Sequence, residues 1–348
     1  MKKIAITLLT LVLALSLAVP AMAADVDTSV QVLSGNGNPP IIKAKWEAPD
    51  TGDPNHTSAG TQILASGQFE VNVPLRFYAV VTDPEGKANI RDVYADVYHP
   101  LESPEAGSFK FQVKLAPLGH DAALAAFEVA VAEGLIFFNS PYDEAETRHE
   151  LEQSLADVYY GEWYLEYHQP WGFYVTTIRA FDNQNNETTF SNHFLYVQLT
   201  AAEFDFNALN YGTVEVSSNK VVGGDKIFQS PIGAAPSPNP ATVRNIGNSW
   251  GKITVKQDDM GFGQTVGQVP PWNVEYDARL SATGVNIVYN PAVAKGGNLA
   301  GAAANTLPDI LKNCNTEKLD FSIHVKKATA GIYTGKMILG FLFEPFGP

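Results

Sequence analysis

The sequence predicts a mainly β protein of two β-sandwich domains, the first carrying an α-helical insertion. Three observations lead there. Short stretches alternate apolar and polar residues with the period of half-buried strands. Clusters of Gly, Pro, Asn and Asp separate them as turns. Between about residues 121 and 160 the spacing changes to three and four, the period of a helix face. At 348 residues, the chain has room for two cores at about 100 to 200 residues per domain.

Residues 1–23 read as a signal peptide. Met1, Lys2 and Lys3 precede an apolar run from Ile4 to Val19, and Ala21-Met22-Ala23 supplies an A-x-A cleavage site before Asp25. The run is short for a membrane span of about 20 residues and closes at Pro20. The chain is therefore expected to be secreted, to an extracellular or cell-surface location. No second apolar stretch of spanning length follows, so no membrane span is expected after signal removal. The tail from Phe343 to Pro348 has no lipid-attachment pattern.

The net charge is −14, and losing Lys2 and Lys3 with the signal makes the mature chain more acidic still. Nucleic acid and anionic lipid are excluded as partners, because both are polyanions held by Lys and Arg clusters. Divalent cations or a basic partner fit better. Cys314 is the single cysteine, so no disulfide framework holds the domains. It is buried and inert, a free thiol, or half of an intermolecular bond, and its neighbours Asn313 and Asn315 favour a loop.

The elements follow in order. Residues 24–62, rich in Asn, Gly, Pro, Asp and Ser, read as a loose N-terminal arm with one strand around Ile41, Ile42 and Trp46. Residues 63–200 form the first sandwich. Phe69 to Val81 alternate with a break at Pro74, Asp83-Pro84-Glu85-Gly86 is a turn, and strands follow at Val93–Val97 and Phe109–Leu115. The insert, residues 121–160, holds two helices. One is Ala-rich from Asp121 to Glu133 and closes at Gly134, with Phe127 to Val131 also readable as a strand. The other is capped by Ser140 with Pro141 at its first position and runs through Leu151, Leu155 and Val158 to near Gly161. Strands resume at Trp163–Tyr167, Phe173–Ala180 and Phe190–Val197.

Residues 201–348 form the second sandwich. Its strands fall at Leu209–Val214, Pro240–Asn248 and Lys252–Lys256, in the strict alternation of Leu319, Phe321, Ile323 and Val325, and from Ala330 through Phe343. No internal repeat relates the two halves.

Gly172, Tyr174 and the residues to Asn186 follow G-x-Y-V-x-x-x-x-A-x-D-x-x-x-N, which resembles the last hairpin of bacterial and archaeal immunoglobulin-like domains. Together with the strand and turn pattern of the second half, the chain is similar to secreted immunoglobulin-like β-sandwich surface proteins of archaea and bacteria, including surface-layer and sheath-like proteins of methanogens. The resemblance spans roughly residues 65 to 345 and implies a fold, with no catalytic residue attached. The chain departs from anchored relatives in having no sorting signal.

Motifs for chemistry are sparse. His56, His99, His120, His149, His168, His193 and His324 include no i, i+4 pair for a helical metal site. There is no G-x-S-x-G, and Gly223-Gly224 and Gly296-Gly297 are not phosphate loops. Carboxylates are abundant, but no spacing selects a glycosidase pair. Trp46, Trp163, Trp171, Trp250 and Trp272 are core residues or sugar platforms. No cofactor other than Ca²⁺ is expected. Its candidate site is the pair of turns that an immunoglobulin-like arrangement brings to one end of the sandwich, with Asp83 and Glu85 on one and Asp182, Asn183 and Asn185 on the other. The competing reading is turn chemistry, which favours the same residues. Asn55 and Asn186 head N-x-T sequons.

The function expected is that of a non-enzymatic structural subunit of an extracellular surface layer, sheath or fibre, in which the arm adds a strand to a neighbour's edge. Its partners would be copies of itself or other cell-surface proteins. The alternative is a secreted binding protein for carbohydrate, such as surface glycans, or for another surface protein.

Overall fold

Inward-facing apolar side chains at every second residue carry most of the predicted strands into shared cores. The computed structural model describes residues 37–346, except 54, 56–59, 231, 236–239 and 264–271. The expected signal peptide and the first residues of the arm lie outside the described residues. The described chain is mainly β, with several sheets and two short helices.

The first half contributes β1 (Ile41–Ala48), β2 (Gln62–Leu64), β3 (Val73–Thr82), β4 (Ile90–Tyr98), β5 (Phe109–Pro117), α1 (His120–Ala132), β6 (Phe137–Phe138), α2 (Glu144–Glu152), β7 (Ala156–Leu165), β8 (Gly172–Asp182) and β9 (Glu187–Val197). Their hydrogen-bonded order is β2-β9-β8-β4-β5-β7-β3-β1-β6. β5 joins the two halves of this path, pairing β4 over Val93–Tyr98 and β7 only at Ala116 and Pro117. The path therefore folds over on itself, with β6-β1-β3-β7 facing β2-β9-β8-β4. Between them lie Phe77, Val81, Ala95, Val113, Tyr174, Ile178, Phe194 and Tyr196.

The other face of the β1-β3-β7 sheet is covered by the helices. Trp46, Val80 and Val158 pack there against Ala123, Phe127, Ala130 and Leu151, which fall at helical spacing on α1 and α2. Strands covered on both faces lose the polar-out alternation, and β1 is buried without a break from Ile42 to Glu47. The stretch read as a loose arm thus supplies an inner strand of the first sandwich.

The insert differs from expectation at one helix. α2 begins three residues after Pro141, because Asp143 rather than Ser140 caps it, accepting from the Glu146 N–H at 2.9 Å. It ends at Glu152, and Ser154 takes a left-handed φ of 55°. Leu155 lies beyond the helix, and Val158 belongs to β7. Phe69 lies in a turn, and β3 starts at Val73.

The second half holds β10 (Ala202–Phe204), β11 (Phe206–Leu209), β12 (Ser218–Val222), β13 (Gly233–Ala235), β14 (Thr242–Asn245), β15 (Trp250–Gln257), β16 (Val274–Leu280), β17 (Ile287–Tyr289), β18 (Asn305–Leu311), β19 (Thr316–Val325) and β20 (Met337–Glu344). One sheet runs β10-β14-β19-β16-β17, with β12 also on β19, and another β18-β15-β20. Leu319, Phe321, Ile323 and Val325 of β19 share a core with Ile253 and Val255 of β15 and Leu307 of β18. The expected strand at 209–214 is instead β11, ending at Leu209, and the last strand starts at Met337 rather than Ala330.

The two halves are tied at Asn248. It accepts from Leu199 N at 2.6 Å and donates to Val197 O at 2.8 Å, while its carbonyl accepts from Trp171 N. The described residues form one compact unit.

Candidate functional site

Three places gather chemistry-bearing side chains. The first is the pair of turns singled out from the sequence. They do meet: Asn183 N–H donates to Asn89 O at 2.9 Å, and Arg91 Nη1 bonds Asn185 Oδ1. Their carboxylates, however, are already engaged within each turn. Asp83 Oδ1 accepts from Glu85 N at 2.8 Å and from Asn89 Nδ2 at 3.2 Å. Asp182 Oδ1 accepts from the Gln184 and Asn186 N–H groups, and its Oδ2 from Asn186 Nδ2 at 2.6 Å. Glu85, on the surface, accepts from Asn38 N and Nδ2. The backbone N–H bonds to Asp83 and Asp182 are Asx-turn bonds that fix the backbone. Among the described residues, no group of three or more His, Cys, Asp or Glu is placed to hold a metal ion.

The sequon residues differ in setting. Asn55 is exposed, with its following His56 and Thr57 outside the described residues, and Asn186 is half-buried with its amide on Asp182. Cys314 is an exposed thiol in a turn, and Tyr167 donates its hydroxyl to the sulfur at 3.2 Å.

The second place is a groove of about 450 Å³ beside β5 and β7, lined by Asn72, Lys110, Glu162, Trp163, Tyr164 and Gln169. Trp163 is 40% exposed and stacks on Phe111 at 4.6 Å. Three of the other tryptophans serve packing: Trp46 lies in the core against Tyr78, and Trp171 and Trp250 pack on Phe346.

The third place was not legible in the sequence. Inside the first sandwich, β1 sends Lys45 and Glu47 inward, both side chains 0% exposed, with Lys45 Nζ 2.9 Å from Glu47 Oε1. Opposite them, Thr176 of β8 and Asn192 of β9 are direct cross-strand partners. Lys45 Nζ donates to Thr176 O at 2.9 Å and to Asn192 Oδ1. A bulge directs the lysine there. Ile42 pairs with Val81 and Ala44 with Val80, leaving Lys43 as an extra residue that resets the alternation. Burial pulls the Lys45 ammonium below the usual lysine range against the opposing charge of Glu47. The cluster is also under-bonded: apart from the ion pair with Lys45, neither Glu47 oxygen has a partner, and neither Thr176 Oγ1 nor Asn192 Nδ2 makes a hydrogen bond among the described residues.

One further grouping has the residue types of a hydrolase. His324 Nε2 lies 2.7 Å from Asp277 Oδ2 and 3.3 Å from Ser322 Oγ, and Ser322 donates to the same Asp277 oxygen. A relay needs serine and carboxylate on different ring nitrogens. Here both use Nε2, so the grouping is a cross-strand polar pair.

The chain matches no protein family and no curated protein. Among solved structures it is similar to the chaperone–tip adhesion subunit complex of archaic Csu pili from Acinetobacter baumannii, at 9% identity and a TM-score of 0.26, covering 81% of this chain and 96% of that one. It is also similar to the C-terminal domain of an antigen I/II-family protein from Streptococcus pyogenes, at 15% identity and a TM-score of 0.21, covering 88% and 97%. Scores this low assign no family and no common fold, so the function rests on the chain's own residues.

Proposed function

We propose that the chain is exported and serves as a non-enzymatic structural subunit of an extracellular surface layer, sheath or fibre. The observation that carries this reading is β20. Its eight residues pair with β15 along their whole length, and among the described residues no strand pairs its other edge. It has no proline and no charge before Glu344, and Ile338, Leu342 and Phe343 stay exposed.

Several other edges are blunted in the ways that prevent strand addition. β2, β6, β10 and β17 are two or three residues long, β12 carries Lys220, and β18 carries Pro308. A long, uncharged edge beside guarded ones is a directed docking strand, and a second copy of this chain is its occupant. The arm is not the donor over residues 41–48, which its own sheet holds. Sedimentation velocity of residues 24–348 tests the reading. Concentration-dependent polymers that Leu342→Lys disperses support it, and a monomer at all concentrations refutes it.

Trp163 and its groove favour a second reading, a secreted carbohydrate-binding protein, since a half-exposed indole beside amide and carboxylate groups suits a sugar face. Binding on a glycan array that Trp163→Ala abolishes would select this reading.

A further inference from the structure

We infer that Lys45 and Asn192 join covalently, forming an isopeptide bond between β1 and β9 inside the first sandwich. This inference is independent of the proposed function, because it needs only the interior of one folded chain.

The geometry supplies each requirement. The amine and the amide are in contact, and Thr176 O holds Nζ in place. Glu47 Oε1, at 2.9 Å from Nζ, is the group positioned to take a proton. Asn192 Nδ2, the leaving nitrogen, donates no hydrogen bond that would hold it back. Lys45 and Glu47 are both fully shielded from solvent and the Asn192 amide nitrogen is buried, so little water reaches the amine–amide contact.

The step balances without any co-reactant. Nζ gives one proton to Glu47 and, as the neutral amine, adds to Cγ of Asn192, forming the new C–N bond as the carbonyl π bond opens. A second Nζ proton passes to Nδ2. The Cγ–Nδ2 bond breaks, the carbonyl is restored and Nδ2 leaves as ammonia. Glu47 keeps the first proton. A buried ammonium–carboxylate pair is thereby replaced by an amide and a neutral acid. That removes two buried charges and their desolvation cost. Glu47 acts as the catalytic residue, since it touches the reacting nitrogen.

Intact-mass spectrometry of the purified chain tests the bond. The expected result is a mass about 17 Da below the sequence value, the mass of ammonia, with a branched peptide linking Lys45 to Asn192 after digestion. Lys45→Met and Glu47→Gln are expected to restore the full mass. A wild-type chain that melts cooperatively at full sequence mass overturns the inference. So does a loss of ammonia that maps to a linear peptide, which would mark cyclisation of Asn192 onto its own backbone. If either variant fails to fold, the wild-type mass and branched peptide still decide the question.

Discussion

Lys43 and Lys45 stand two residues apart on β1, yet their ammonium groups lie in different layers of the molecule. Lys43 Nζ meets Glu146 and Glu150 of α2, each at 2.7 Å, and sits 4.1 Å over the Tyr142 ring. Lys45 Nζ lies between the sheets. Residues i and i+2 of a regular strand share a face, and the bulge at Lys43 breaks that rule. Lys43→Ala is expected to release α2 and lower stability by about 1–3 kcal/mol, read as a lower urea midpoint. The strand phase beyond Ala44 survives, so the loss of ammonia is retained.

A double substitution separates an ion pair from a bond. Replacing both members of a buried ion pair with apolar residues is often neutral or stabilising. Lys45→Met with Glu47→Leu would then leave the melting temperature unchanged or higher. A cross-link closing a loop of 147 residues restricts the unfolded chain by about 5 kcal/mol. The expected outcome is therefore a marked fall in thermal stability.

Much of the fold was legible because its signals are local. β4, β8 and β19 announce themselves by alternation, and the turns near 83–89 and 183–186 do meet, at the Asn183 N–H to Asn89 O bond. Other features depend on distant partners. β1 reads as an arm because Lys43, Lys45 and Glu47 look solvent-facing until α2, β8 and β9 cover them. Leu155 and Val158 continue the spacing of Leu151, so the switch to β7 was hidden; Ser154, whose left-handed backbone ends the register, gives no such signal by residue type. The interior cluster joins residues up to 147 positions apart, and no spacing rule reaches that far.

Acid is expected to weaken the second sandwich through Asp320. Burial raises its pKa, but Arg279, Lys318 and the Gly224 N–H outweigh that and hold the carboxyl below the usual carboxylate range. A depressed carboxylate contributes stability above its unfolded pKa, near 3.9, and loses it as pH falls through the lower folded value. Asp320→Asn should cost about 1–2 kcal/mol at pH 7 after solvent screening and flatten the stability–pH curve below pH ~4. Denaturant melts across that range measure both.

Calcium is expected to leave the melting temperature unchanged. Ligand binding to the folded state raises stability as RT ln(1 + [L]/Kd), but here Asp83 and Asp182 already accept from backbone and side-chain N–H groups. Melts in millimolar Ca²⁺ and in chelator check this. A Ca²⁺-dependent rise would show that the two turns reopen to coordinate the ion.

The placement of Lys45 and Asn192 also sets how the first sandwich carries tension. β1 is its first strand and β9 its last, so a pull along the chain enters beside one partner and leaves beside the other. With the two side chains bonded, the load crosses through a single covalent bridge. The turns, both helices and the intervening strands then hang outside the stressed path and need not unravel for the chain to bear force.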